Sequence, residues 1–171
     1  MRRNRVLGML LLVGVLIAWL SAHSTGGQTA AQSETSKKFV GAWQLVSIEG
    51  GTPQASANRG EHATGIIFYD GLGNMAAQIM PGRARSKYAA PLPTPDEARS
   101  AILGYTAYFG TYTVDEKART VIHHRKGNIN PGGINDEGVR HYEFAPGDRL
   151  ILTPAVTPPA PETHLTWQRL K

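Results

Sequence analysis

The sequence predicts an all-β domain, an eight-stranded antiparallel up-and-down barrel with one short helix between the third and fourth strands. Three observations carry this. Short runs rich in β-branched and aromatic residues recur from Trp43 to the C-terminus, each bounded by Gly, Pro, Asn or Asp. Most are joined by connections of hairpin length. Eight such strands in succession leave two open edges unless the last pairs with the first, which closure into a barrel achieves. An open sandwich is the competing architecture.

The strands follow in order. Trp43 to Ile48 carries Trp43, Leu45 and Ser47 on one face and Val46 and Ile48 on the other, and Glu49-Gly50-Gly51-Thr52-Pro53 ends it. Thr64 to Tyr69 and Met75 to Met80 flank Asp70-Gly71-Leu72-Gly73-Asn74, a hairpin rich in residues that tolerate positive φ. Thr94 then offers a helix N-cap, Pro95 fits the first helical position, and Asp96 and Glu97 suit the positive end of the helix dipole. Gly104 closes that helix. Phe109 to Val114 and Thr120 to Arg125 surround a loop from Asp115 to Arg119. After a long loop, Asn128 to Gly138, come Val139 to Phe144, Leu150 to Thr153 and, beyond a proline-rich stretch, His164 to Leu170.

The N-terminus reads differently. Arg2, Arg3 and Arg5 precede an uncharged apolar run from Val6 to Leu20, followed by small and polar residues to Gln32. That order predicts a secretory signal peptide over 1–31, hence an exported, periplasmic or secreted protein. An uncleaved membrane anchor is the alternative, although the run is shorter than the roughly 20 residues that span a bilayer. Residues 32–38 read as a flexible linker, and 39–171 as the barrel domain.

Charge and composition narrow the function. The chain carries +5, and without the three arginines of 1–31 it carries +2, short of the basic footprint of a nucleic-acid binder. Zero cysteines exclude disulfides, thiolate nucleophiles and cysteine zinc sites. The histidines beyond the signal are His62, His123, His124, His141 and His164, with no His-x-His or His-x-x-x-His spacing, so no metal and no cofactor is expected. No phosphate loop, nucleophile elbow or paired carboxylates appear, and no catalytic residue is assigned.

What remains is a set of polar and aromatic side chains placed to border a ligand. His123 and His124 are adjacent on a strand, so one faces inward and one outward. Val121 shares the face of His123, which favours His123 as the inward one, with Ile122 and His124 the competing pair. Arg140, Tyr142 and Phe144 share a face, and the aromatic pair draws Arg140 inside or to the rim. An inward arginine is costly unless it is paired or reaches a ligand anion. Tyr108 and Tyr112 offer hydroxyls beside apolar rings. Met80 offers an adaptable pocket wall, on the same face as Ala76 and Gln78. The expected ligand-binding set is His123, Arg140, Tyr112, Tyr142, Tyr108 and Met80.

Gly41-Ala42-Trp43 opens the first strand, and Trp167-Gln168-Arg169 lies on the last. Together with Gly41 to Ser47, Asn74 to Met80, Ala107 to Tyr112 and Thr120 to His124, they resemble the small bacterial and fungal lipocalin-like domain proteins of the calycin superfamily, over roughly residues 39 to 171. The resemblance implies a lipocalin-like barrel whose base is closed by Arg169 packing across Trp43. That family is largely uncharacterised, so the fold gives only a prior on activity. The leading expectation is an exported binding protein for a small, largely apolar or amphipathic molecule, in or at the mouth of the barrel. An isomerase or cyclase using the same pocket and a structural or interaction domain without ligand are the alternatives. An inward His123 with a nearby Tyr or Arg and a perturbed pKa would favour the enzyme.

Overall fold

The computed structural model describes residues 33–171, so the segment read as a signal peptide lies outside the described residues. The strands are β1 (Gly41–Gly50), β2 (Thr64–Tyr69), β3 (Asn74–Met80), β4 (Thr106–Asp115), β5 (Thr120–Asn128), β6 (Glu137–Ala145), β7 (Arg149–Pro154) and β8 (Thr163–Arg169). Each pairs antiparallel with the next, and β8 returns to β1 through Trp43↔Arg169 and Leu45↔Trp167, closing the barrel. The closed up-and-down barrel is the architecture expected from the sequence.

Alternation along each strand fills the interior. Trp43, Leu45, Ile67, Tyr69, Met75, Ala77, Tyr108, Tyr112, Val121, Leu150, Leu152 and Trp167 are buried together in one core. One end, which we call the base, holds the β2–β3, β4–β5 and β6–β7 turns. The other, the mouth, is where β1, β3, β5 and β7 finish.

β1 departs from simple alternation. Its pairing with β8 slips between Leu45 and Ser47, so Ser47 pairs with Thr166 and Ile48 with Leu165. A bulge places two residues opposite one, and every later side chain changes face. Ile48 therefore packs against the core, not on the outer face with Val46, and Ser47 moves outward to hydrogen-bond Glu49.

The helix between the third and fourth strands is α3 (Pro95–Ile102). Thr94 caps the Glu97 amide and Glu97 reaches back to the Thr94 amide, a complete capping box. Arg83 donates to the Ser100 and Leu103 carbonyls and Arg85 to that of Ala101, satisfying the orphan acceptors at the helix end. Two further helices and a 3₁₀ turn (Pro131–Gly133) add to it. α1 (Glu34–Phe39) occupies part of the stretch read as linker; Ser33 caps it and Phe39 is fully buried at the barrel base. α2 (Pro53–Arg59) starts on Thr52-Pro53, the same Thr-Pro signal that opens α3.

Candidate functional site

The base is a closed aromatic plug. Phe39 meets Tyr69, Tyr142 and Phe144 edge-on, with centroids 5.0 to 5.3 Å apart. The Trp43 indole N–H donates to the Phe39 carbonyl at 2.8 Å. The Arg169 guanidinium lies 4.0 Å from the Trp43 ring and donates to the Val40 and Lys38 carbonyls, the base closure the resemblance implied. Gly41 is required here. Its φ is +134°, and a Cβ would stand 2.8 Å from Arg169 Nη1.

Halfway up the barrel the interior turns polar. His123, on β5, is fully buried and faces inward, the face that Val121 indicated. Its Nε2 lies 2.7 Å from the Tyr69 hydroxyl and its Nδ1 3.0 Å from the Tyr108 hydroxyl. His124, one residue on, points outward between Thr113 and Glu137. Two guanidiniums approach the Tyr108 ring, Arg140 at 5.7 Å and Arg125 at 5.9 Å from the centroid.

The charge balance of this cluster is uneven. Arg125 reaches one carboxylate, Asp136, at 3.7 Å. Arg140 donates to the Gly138 carbonyl at 2.8 Å and pairs with no carboxylate among the described residues. Gly138 admits it, since a Cβ there would stand 2.3 Å from Arg140 Nη1. The Nε–H of Arg125 is buried with no acceptor among the described residues. The site is therefore rich in donors and poor in acceptors.

Electrostatics follow from this. Burial, reinforced by Arg140 and then Arg125, holds the His123 imidazolium pKa well below its ordinary range, so the ring is neutral. Burial raises the hydroxyl pKa of Tyr69 well above 10 and that of Tyr108 also, although for Tyr108 the two guanidiniums oppose the shift. All three groups are neutral hydrogen-bonding partners at physiological pH.

Of the expected site residues, the structure brings Tyr108, His123 and Arg140 together. Tyr112 is in register with His123 but meets Tyr69 edge-on, with centroids 4.8 Å apart, and its hydroxyl donates to the Asp70 carbonyl at the base. Tyr142 belongs to the base plug around Phe39. Met80 stands on the outer face, half-exposed, because β3 turns Met75, Ala77 and Ile79 inward. With a methionine on each face of β3, residue type alone did not decide which one entered. Sequence reasoning did not single out Arg125 or Tyr69. Arg125 carried a signal, two positions beyond His123 on the same face. Tyr69 carried none, lying 54 positions from His123 and meeting it only across the closed barrel.

Among the described residues no three His, Asp or Glu side chains gather to hold a metal ion. A separate apolar groove of about 650 Å³ lies mainly on the outer face of β2 to β5, lined by Ile66, Phe68, Ala76, Phe109, Ile129 and Ile134.

A closed eight-stranded up-and-down barrel with a tryptophan–arginine pair at its base is a lipocalin-like architecture. A lipocalin-like domain family matches residues 40–170, and the chain belongs to that family. No curated protein matches the sequence. Solved structures similar to this chain include a mutant of the fluorescent protein UnaG, at 15% identity over 79% of this chain and 98% of that one, with a TM-score of 0.38. A fatty acid transporter, REP1-NXSQ, is 13% identical over 79% and 98%, with a TM-score of 0.39. Apo lipid binding protein 8 of Caenorhabditis elegans is 16% identical over 78% and 96%, with a TM-score of 0.37.

Proposed function

We propose that this protein is an exported binding protein for a small, largely apolar molecule with an anionic head, which enters the barrel from the mouth and places the head near Arg140. The observation that carries this reading is Arg140 itself: an inward guanidinium with no carboxylate partner among the described residues, beside a second cation and a row of donors. A cation held in such surroundings needs a counter-charge, and a ligand supplies it where the protein does not. The apolar part of the ligand would meet Ile48, Ala63 and Leu165, core residues that remain partly exposed toward the mouth. Export is supported by the order of residues 2 to 32. N-terminal sequencing of protein from the native host should find a start after residue 20, near Gln32, whereas intact Met1 protein in the soluble cytoplasmic fraction would contradict export.

The test of the site is a titration of an anionic, fatty-acid-type fluorescent probe against wild type, Arg140→Met and Phe109→Glu, with thermal melts alongside. Arg140→Met should weaken binding by more than about 1 kcal/mol, the scale of a charge-assisted hydrogen bond. Its stability should fall little or rise, since burying arginine is expensive. Phe109→Glu, on the outer groove, should bind as wild type does. Equal affinity for wild type and Arg140→Met removes Arg140 from the site, and loss confined to Phe109→Glu moves the site to the groove.

One observation favours a second reading, an isomerase working on the same ligand: His123 bridges two tyrosines, a geometry suited to moving a proton. Deuterium uptake into the probe in heavy water, lost in Tyr108→Phe, would establish it.

A further inference from the structure

The outer face of β2 to β5 carries the apolar groove as a trough, and strand register explains its shape. Two rows of side chains cross these strands. Phe68, Ala76, Phe109 and Gly127 form one, each opposite the next in the ladder. Ile66, Gln78 and Ala107 form the other, extended by Ile129, whose N–H donates to the Ala107 carbonyl at 2.8 Å. Large and small residues alternate along the first row. A Cβ on Gly127 would stand 2.2 Å from the Phe109 ring, so that ring leans over the glycine on β5 and away from Ala76 on β3. Phe68 and Phe109, 46% and 59% exposed, are thus two walls above an alanine floor. Walls two strands apart stand about 9.5 Å from one another at the backbone. Aromatic pairs favour centroid separations of about 4.5–7 Å, so one flat ring set between the walls meets both.

We propose that this trough is a second binding site, for a neutral, flat aromatic molecule inserted between Phe68 and Phe109 above Ala76. No charged side chain lines it among the described residues. Asn128 is spent within its own loop, its Oδ1 accepting from the Asn130 N–H and its Nδ2 donating to the Gly133 carbonyl, which leaves Gln78 as the free amide. Burying a charge there would go uncompensated. Area decides against a second copy of the chain as occupant. The exposed parts of Phe68, Phe109, Ile129 and Ile134 offer on the order of 350 Å² of apolar surface, against about 800 Å² per partner in a stable protein interface. The volume of about 650 Å³ suits a small molecule. The site stands apart from the anion-binding reading, since it uses the outward residues of the strands and does not involve Arg140.

The experiment is a fluorescence titration of N-phenylnaphthylamine, a neutral aromatic probe, against wild type, Ala76→Leu, Phe68→Ser and Arg140→Met, with thermal melts alongside. Ala76→Leu fills the floor and Phe68→Ser removes a wall; each should bind the probe about tenfold more weakly, the worth of one ring contact and the area it buries. Arg140→Met should bind it as wild type does. A long-chain carboxylate added in excess should leave the bound probe in place. The proposal is overturned if wild type does not bind the probe, if both groove variants bind it as wild type does, or if the carboxylate or Arg140→Met displaces it into or out of the barrel. Anilinonaphthalene sulfonate, a similar ring system with a charge, should bind Arg140→Met about tenfold more weakly than the neutral probe, and equal affinity would overturn the neutral class. A wild-type dimer in sedimentation equilibrium that Phe109→Glu dissociates would make this face a contact between copies and would overturn the proposal too.

Discussion

The Trp43–Arg169 pair joins the first strand to the last through one contact. Arg169 stacks on the indole at 4.0 Å while its donors hold the chain just before β1. Trp43→Ala should cost about 3–5 kcal/mol as a large core truncation. Arg169→Ala should cost less, and the double mutant should cost less than the sum, because the residues touch. Additive denaturation energies would separate the two. His123 makes a second residue-scale prediction. Its pKa is lowered in the folded state, so the unfolded chain binds a proton that the folded chain refuses once the pH falls below the ordinary value of 6.5. Its contribution is therefore full above about pH 6.5 and is lost progressively as the pH drops further. Midpoint denaturant concentrations should fall across that window in wild type and fall less in His123→Gln, compared at matched ionic strength. A wild-type profile identical to that of His123→Gln would show that His123 titrates freely.

Among the elements, α1 most changes the picture drawn from sequence. Six residues give too little periodicity to read a helix, and the surrounding Ser, Thr and Lys look like linker. What organises them is tertiary: Phe39 finds a ready-made hole among Tyr69, Tyr142 and Phe144. Phe39→Ala should therefore destabilise the whole barrel by about 3–5 kcal/mol, the cost of a core cavity, as read by chemical denaturation. A change within about 0.5 kcal/mol would make α1 an ornament on a barrel closed without it. The hairpins and α3 were legible because turn residues and a Thr-Pro cap are local chemistry. The β1 bulge was not, since nothing within Leu45-Val46-Ser47 differs from an ordinary strand, and the slip is set by pairing with Thr166 and Leu165. Half of the site follows the same division. His123 and Arg140 were legible from alternation against Val121 and Phe144, and Tyr108 from its hydroxyl beside an apolar ring. Tyr69 was not, because which strands face each other across a barrel depends on closure.

At the scale of the molecule, the barrel divides its interior by chemistry. The base is sealed by aromatic rings and Arg169, and the half toward the mouth collects Tyr108, His123, Arg125 and Arg140 around a deficit of acceptors. A purely structural barrel gains nothing from an inward arginine without a carboxylate, since hydrocarbon of similar volume would be at least as stable there. In the proposed function this arrangement recognises negative charge on an otherwise apolar ligand. Isothermal titration of one long-chain carboxylate and of its methyl ester, against wild type and Arg140→Met, tests it most directly. Wild type should prefer the acid by about tenfold or more, the worth of a hydrogen bond to a charged group, and Arg140→Met should bind the two alike. Equal affinity of wild type for acid and ester would contradict it.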